Sequence, residues 1–288
     1  MPQAEVSRRD NACETWIGTA ETVTDEIAVA PARAAAATLD DIESRFENGA
    51  PLPPLWQWFY FLPRPPQARL STDGHPERGG FMPPIALPRR MFAGARMRFH
   101  RPLVIGHAAE RRGIVRNVSQ KDGRSGRLAF VTIGYEFHQD GALCIQEEQD
   151  IVYREAGGPV SAPAPEPLPP LPEGSWSAMV TPTPTLLFRF SALTFNAHRI
   201  HYDRPYATDV EGYPGLVVHG PLTAVLLMEL VRRHATGSVR RFEFRGMAPL
   251  FDLAPFRVAA TPAADGPVLM EAHGPAGQTA MTATATLS

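Results

Sequence analysis

The sequence predicts an α+β protein made of two similar units, and three features carry that expectation. One is a proline-rich stretch near the middle of the 288 residues, positions 157–174 (GGPVSAPAPEPLPPLPEG). Each proline removes a backbone donor and restricts its predecessor, so the stretch is read as a semi-rigid linker between residues 1–156 and 175–288. A second is the apolar helix expected at 220–234 (GPLTAVLLMELVRRH). Leu222, Val225, Leu226 and Leu230 recur at helical spacing, and Ala224 and Leu227 widen the stripe, so this helix should be buried on most sides. Pro221 suits its first turn and Gly237 follows its end. The third is a run of strand-like segments, bounded by turn residues, in each half.

The elements follow in order. Residues 19–29 suggest an extended entry. The alanine-rich stretch 30–42 suggests a helix, with Pro31 tolerated in its first turn. Residues 53–62 (PPLWQWFYFL) form a buried helix or wall, and 62–90 lack periodicity; a loop of that length in a compact domain is often functional. Strands are expected at 97–99 leading into Pro102-Leu103, then at 108–119, 128–138 and 143–153, with hairpin signals at Asp122-Gly123 and Asp140-Gly141. In the second half a strand is expected at 178–188, a short irregular or helical piece at 191–203, then the long helix. Strands follow at 239–244, 256–261, 268–273 and 280–287. A weak repeat links 98–103 (RFHRPL) with 243–250 (EFRGMAPL). A sheet curled around one apolar helix is the hot-dog arrangement, so two fused hot-dog domains are expected.

Composition narrows the function. Hydrophobic residues make up 44%, charged residues 20%, and the net charge is −2. Such a balance gives no global field for nucleic acid or an anionic membrane. Cys13 and Cys144 lie too far apart for a metal or disulfide framework. The N-terminal residues are charged rather than signal-like, and no apolar run is long enough to span a bilayer, which makes the cytoplasm the expected home.

Chemistry concentrates in Asn196-Ala197-His198-Arg199-Ile200-His201-Tyr202-Asp203-Arg204. Histidine titrates near neutrality and is the natural proton-transfer group. His198, His201 and Asp203 also offer metal-type ligands, but one His-x-x-His is a weak signal, and no metal is expected. The second motif is Gly215-Leu216-Val217-Val218-His219-Gly220-Pro221, an apolar run entering the long helix. Unpaired amides and the macrodipole at such a terminus suit a developing oxyanion, and a glycine admits a substrate.

Together these segments resemble the MaoC-like, or (R)-specific hydratase, family. Its Gly-Asp-x-Asn-Pro-x-His-x-Asp signature is followed by a Gly-x-x-x-His-Gly turn into the hot-dog helix. His201-Tyr202-Asp203 matches the end of that signature; Asn196 stands where the family has its catalytic Asp, and His198 where it has Asn. The stretch 189–203 (RFSALTFNAHRIHYD) is similar to the hydroxyacyl-thioester dehydratase type 2 branch, which includes mesaconyl-C4-CoA and itaconyl-CoA hydratases. The segments WIG, PPLW, GGFMPP and EEQDIVYR of the first half resemble the FAS1-like dehydratase domain.

The resemblance implies reversible hydration of an enoyl-CoA, with coenzyme A as part of the substrate and no separate cofactor. It implies His201 as base, Asn196 orienting water, and Gly220 as oxyanion donor. Asp203, His198 and Tyr202 would support them, with Asp203 or His198 fixing the His201 tautomer. Arg199, Arg89, Arg90 and His219 are candidates for CoA phosphates or a substrate carboxylate. Trp56, Trp58, Phe59, Tyr60 and residues 78–90 are candidates for the acyl pocket. A homodimer is the expected assembly, since hot-dog sheets often pair through an edge. The competing expectations are a fatty-acid-type 3-hydroxyacyl-thioester dehydratase, a thioesterase, and a non-catalytic acyl-CoA binder. A thioesterase would use a carboxylate on the long helix, where Glu229 alone stands, expected to be solvated or capping.

Overall fold

The computed structural model describes residues 13–123, 126–264 and 266–288. Its strands are β1 (Ala20–Glu26), β2 (Arg89–Phe99), β3 (Ala108–Gly123), β4 (Gly126–Gln139), β5 (Ala142–Arg154), β6 (Trp176–Val180), β7 (Val239–Gly246), β8 (Phe256–Thr261), β9 (Val268–His273) and β10 (Thr279–Leu287). They form one sheet of ten strands in the order β1-β3-β4-β5-β2-β7-β10-β9-β8-β6. Strands before the proline-rich stretch make one half of the sheet, and strands after it the other.

The two halves join where β2 pairs with β7, antiparallel, with Ala95 opposite Phe244 and Met97 opposite Phe242. The segments of the weak repeat, 98–103 and 243–250, leave this pairing at opposite ends, since Arg98 faces Arg241 and Glu243 faces Arg96. Gly94 is required at this join: a Cβ there would lie 2.4 Å from Phe244 O. At the expected Asp140-Gly141 hairpin, both residues take positive φ, 52° and 74°, which suits a tight two-residue reversal. β3 and β4 do pair as neighbours, but Asp122 and Gly123, expected in the turn, stand in the ladder opposite Arg127 and Gly126, because the pairing runs on past them.

Among the described residues there are three α-helices, of which the long one packs on the sheet and the other two pack on each other. α1 (Val29–Thr38) buries Ala32, Ala35 and Ala36 and is shorter than expected, because Asp40 turns left-handed with φ 53°. α2 (Pro184–Leu193) replaces the second half of the strand expected at 178–188. β6 stops at Val180; Thr183 then accepts the Leu186 N–H at 3.2 Å and Pro184 occupies the first turn. A cap and a proline outweigh the strand-like look of Leu186-Leu187-Phe188-Arg189-Phe190. α3 (Gly220–His234) has the expected bounds. It lies against β6, β8, β9 and β10 and reaches β2 of the other half. Leu222, Ala224, Val225 and Leu227 are fully buried in a core that also contains Ile27, Leu55 and Trp56.

The proline-rich stretch forms no ladder, as expected, yet it is tied down. Val160 N–H donates to Gly212 O (2.8 Å), Glu166 N–H to Pro275 O (2.9 Å), and Arg257 to Pro169 O (2.6 Å). Glu229 corrects an expectation. It is buried at 4% exposure, accepting from Trp56 Nε1 (3.1 Å) and Arg232 Nε (2.9 Å), and Arg232 reaches on to Asp41 (2.5 Å). It joins α3 to the first half instead of facing water.

Candidate active site

The segment after α2 is shaped by local bonds. Phe195 takes a left-handed φ of 47°, and Asn196 Oδ1 accepts the His198 N–H at 3.0 Å, closing a tight turn. A single 3-10 turn, Arg199–His201, follows and buries Ile200 and His201. His201 Nδ1 lies 2.7 Å from Val217 O, in the extended run that enters α3. That carbonyl can only accept, so the proton sits on Nδ1 and Nε2 keeps its lone pair. The tautomer is therefore set by a backbone carbonyl and not, as expected, by Asp203 or His198.

Asp203 points elsewhere: its Oδ2 accepts from Arg199 Nε and Nη2 (2.9 and 2.8 Å), and its Oδ1 accepts the Tyr206 N–H (3.2 Å). Tyr202 is exposed, with its hydroxyl bonded to Ala197 O at 3.1 Å. The three groups weighed and set aside as metal ligands, His198, His201 and Asp203, are not brought together, since Asp203 turns to Arg199.

Behind His201 the ring of His219 stacks at 3.6 Å and 18°. His219 is 1% exposed and its Nε2 lies 2.9 Å from Ser191 Oγ, so it backs His201 and does not line a substrate surface. The next residue, Gly220, opens α3, where the helix supplies no acceptor for its N–H. Trp58, Phe92 and Phe244 cluster nearby, since a Cβ on Gly220 would sit 3.7 Å from Phe92 O and Trp58 packs edge-on against both phenylalanines. Trp56 and Phe59, by contrast, are core residues, fully buried.

On the other side of His201 stand His198 (ring centroids 5.4 Å apart) and then His75 (4.0 Å from His198). His75 comes from the aperiodic loop of the first half. Asp73 Oδ1 accepts its N–H at 2.9 Å, and Asp73 Oδ2 lies 3.0 Å from its Nδ1. The loop is seated on the segment that carries His198 and His201: Arg199 N–H donates to Asp73 O (2.9 Å) and Arg199 Nη1 to Thr72 O (3.1 Å). Sequence reasoning marked this loop as functional but did not single out Asp73 or His75. The Asp73-Gly74-His75-Pro76 string, chemistry-bearing residues in an aperiodic stretch, was the available signal. Asp73, His75 and His198 bring ligand-type atoms within 4.8 Å of one another, and Asp73 and His75 satisfy each other there.

Burial pushes His201 down to about 4, against the Val217 bond, and His198 down to about 2, with His75 and His201 adding to its shift. His219 and His75 are lowered as well, mainly by burial. Burial would raise Asp73, but the bonds from His75 outweigh it and hold the carboxyl below the usual range. The whole imidazole chain is neutral at pH 7.

A cavity of about 410 Å³ opens beside this chain, lined by Asp73, His75, Arg78, Arg90, Tyr206 and Glu211 among others. The candidate arginines differ in commitment. Arg89, 7% exposed, pairs with Glu211 (3.1 Å) and bonds Gly157 O. Arg199 grips Asp203 and covers the Tyr206 ring at 4.0 Å. Arg78 is spent on the carbonyls of Ile85, Leu87 and Pro88. Arg90 is half-buried on the cavity wall, and its guanidinium, among the described residues, makes no hydrogen bond or ion pair.

Comparison with known proteins gives this geometry its context. The family model for hydroxyacyl-thioester dehydratase type 2 matches residues 55–252. The mesaconyl-C(4)-CoA hydratase of Chloroflexus aurantiacus is 63% identical over 272 residues, 94% of this chain and 96% of that one. Among solved structures, a MaoC-like dehydratase superposes with a TM-score of 0.70 at 14% identity, covering 96% of this chain and 99% of the other. A Mycobacterium tuberculosis protein described as a double hot-dog fold gives a TM-score of 0.58 at 15% identity, covering 93% and 95%. The fold is the double hot-dog, no helix among the described residues is long and apolar enough to cross a membrane, and the chain belongs to the hydroxyacyl-thioester dehydratase type 2 family of hydro-lyases.

Proposed function

We propose that the protein hydrates a C5 dicarboxylyl-CoA of the mesaconyl-C4 type to the corresponding β-hydroxyacyl-CoA, with His201 as the acid/base. One observation carries the reading: an imidazole with its Nδ1 proton tied to Val217 O and its Nε2 free, stacked on His219, the residue before the unpaired amide that opens α3. In this scheme the oxygen of water bonds to the β-carbon and its proton passes to His201 Nε2. The carbon–carbon π pair moves to the α-carbon and onto the thioester oxygen, held by the Gly220 N–H. The proton on His201 then passes to the α-carbon, which restores the thioester carbonyl and the neutral base.

The substrate follows from where its charge lies. In a mesaconyl-C4 thioester the free carboxylate is borne by the β-carbon, the atom that water attacks. Its counter-ion must stand next to the water-holding groups. Arg90 is the candidate for it: it shares a cavity wall with His75, whose ring packs on the His198 beside His201, and a guanidinium suits a carboxylate. The name of the Chloroflexus aurantiacus relative supports the same substrate. A thioesterase has no support here, because Glu229 is committed to Trp56 and Arg232.

Hydration followed spectrophotometrically against mesaconyl-C4-CoA and crotonyl-CoA tests the proposal. The wild type should prefer the dicarboxylyl substrate, and Arg90→Ala should cut kcat/KM for it about a hundredfold while sparing crotonyl-CoA, the loss of one charge-assisted pair. His201→Ala should lower kcat on either by roughly a thousandfold. Near-normal turnover in His201→Ala would refute the assignment of the base.

A further inference from the structure

A nucleophilic water has to be fixed in orientation, and a single acceptor leaves it free to swing about one hydrogen bond. Asn196, expected to help, has its Oδ1 engaged by the His198 N–H. Another acceptor reaches the same chain of rings from the first half of the protein. His75 lies on the wall of the cavity and its ring packs on His198, which in turn touches His201. Its Nδ1 is held by Asp73 at 3.0 Å, so the proton belongs there and Nε2 carries the lone pair. His75 thus repeats the arrangement of His201, an imidazole whose Nδ1 proton is tied to an oxygen and whose Nε2 is free to accept.

The placement is built in. Gly74 sits at φ +90°, and a Cβ on it would fall 1.8 Å from Ala197 O, so only glycine lets this loop lie against the catalytic segment. Arg199 fastens the contact from the other side through Asp73 O and Thr72 O. A loop that served only to cover the site would need neither the left-handed glycine nor an aspartate clamped onto a histidine.

We propose that His75, oriented by Asp73, is the second imidazole that holds the reacting water, so that the first half of the chain completes the active site of the second. This rests on the hydratase reading above. No net proton transfer is assigned to it: His75 Nε2 accepts a hydrogen bond from the water hydrogen that does not go to His201, and that hydrogen stays on the oxygen as the product hydroxyl.

The test uses the full-length protein with mesaconyl-C4-CoA and the variants His75→Ala, His75→Phe, His75→Gln and Asp73→Asn. Phenylalanine keeps a ring against His198 without an acceptor; glutamine keeps an acceptor without the ring. Ala and Phe should each lower kcat about a hundredfold with KM within about threefold, as expected for a group that acts in the chemical step. Gln should recover about tenfold of that loss, and Asp73→Asn should lose about tenfold. A structural plug would behave the other way, with Phe tolerated and Gln not. Turnover in His75→Phe within about threefold of wild type would overturn the inference, and so would loss of wild-type activity on dialysis against a chelator, which would make Asp73, His75 and His198 metal ligands. If Ala fails to fold, the Phe and Gln pair decides. A wild type inactive on every enoyl-CoA removes the proposed function and this inference with it. An active wild type with an unimpaired Phe variant removes this inference alone.

Discussion

At the scale of single residues, the site is governed by what burial does to imidazole. His75, His198, His201 and His219 are all held below the ordinary histidine value, chiefly by burial. Neutral rings suit the proposed role as hydrogen-bond acceptors, and the same fact makes folding depend on pH. A group whose folded pKa is depressed stabilises the fold fully above its unfolded value and loses that contribution as pH falls toward the folded value. For His201 the window runs from 6.5 down to about 4, and for His198 from 6.5 down to about 2. The melting temperature should therefore be level at neutral pH and fall steadily below about pH 6.5, with several protons taken up on unfolding. His198→Gln should remove one of those protons and flatten the fall. Thermal unfolding of both proteins between pH 7.5 and about 5 reads this directly, and parallel curves would mean that His198 is not buried neutral.

At the scale of elements, the features most legible in the sequence were those whose signal is local and repeated. α3 was readable to its ends because its apolar stripe, Pro221 and Gly237 agree. β8 and β9 were readable because turn residues bracket them. α2 was misjudged, since the apolar weight of Leu186, Leu187 and Phe188 hid the Thr183 cap. His201 and Gly220 were singled out through a motif. Asp73 and His75 were not, because their meaning lies in a contact with residues far along the chain that no periodicity records. Gly74 is the element on which that contact turns. Gly74→Ala places a methyl group into Ala197 O and strains a left-handed residue, so the loop must lift away. Turnover should fall about as far as in His75→Ala, roughly a hundredfold, while the sheet and its melting temperature change little, because the loop adds no strand. Circular dichroism and activity on one preparation separate the two effects. Full activity in Gly74→Ala would show that the loop can move off the catalytic segment at no cost.

At the scale of the molecule, the two halves hold one relative position, in which the 72–75 loop of the first lies against His198 and Arg199 of the second. Three features hold it. The β2–β7 pairing makes the sheet continuous, the core runs through both halves, and the Glu229 network pins the far end of α3 to Trp56 and Asp41. The network is the most testable of these. Arg232 remains largely buried, so removing the carboxylate leaves the Trp56 N–H without an acceptor and the guanidinium paired only with Asp41, whose own carboxyl is held near 2. Breaking a buried charged pair from one side costs more than the pair contributes, because the survivor remains desolvated. Glu229→Ala should therefore destabilise the protein by about 3 kcal/mol, whereas Glu229→Gln, which still accepts from Trp56, should lose about half as much. Denaturant unfolding measures both. If the network serves only to hold the halves in register, kcat on folded protein should survive Glu229→Gln, since the network lies at the opposite end of α3 from Gly220. A loss of kcat with unchanged stability would instead mean that strain at one end of the helix is felt at the other.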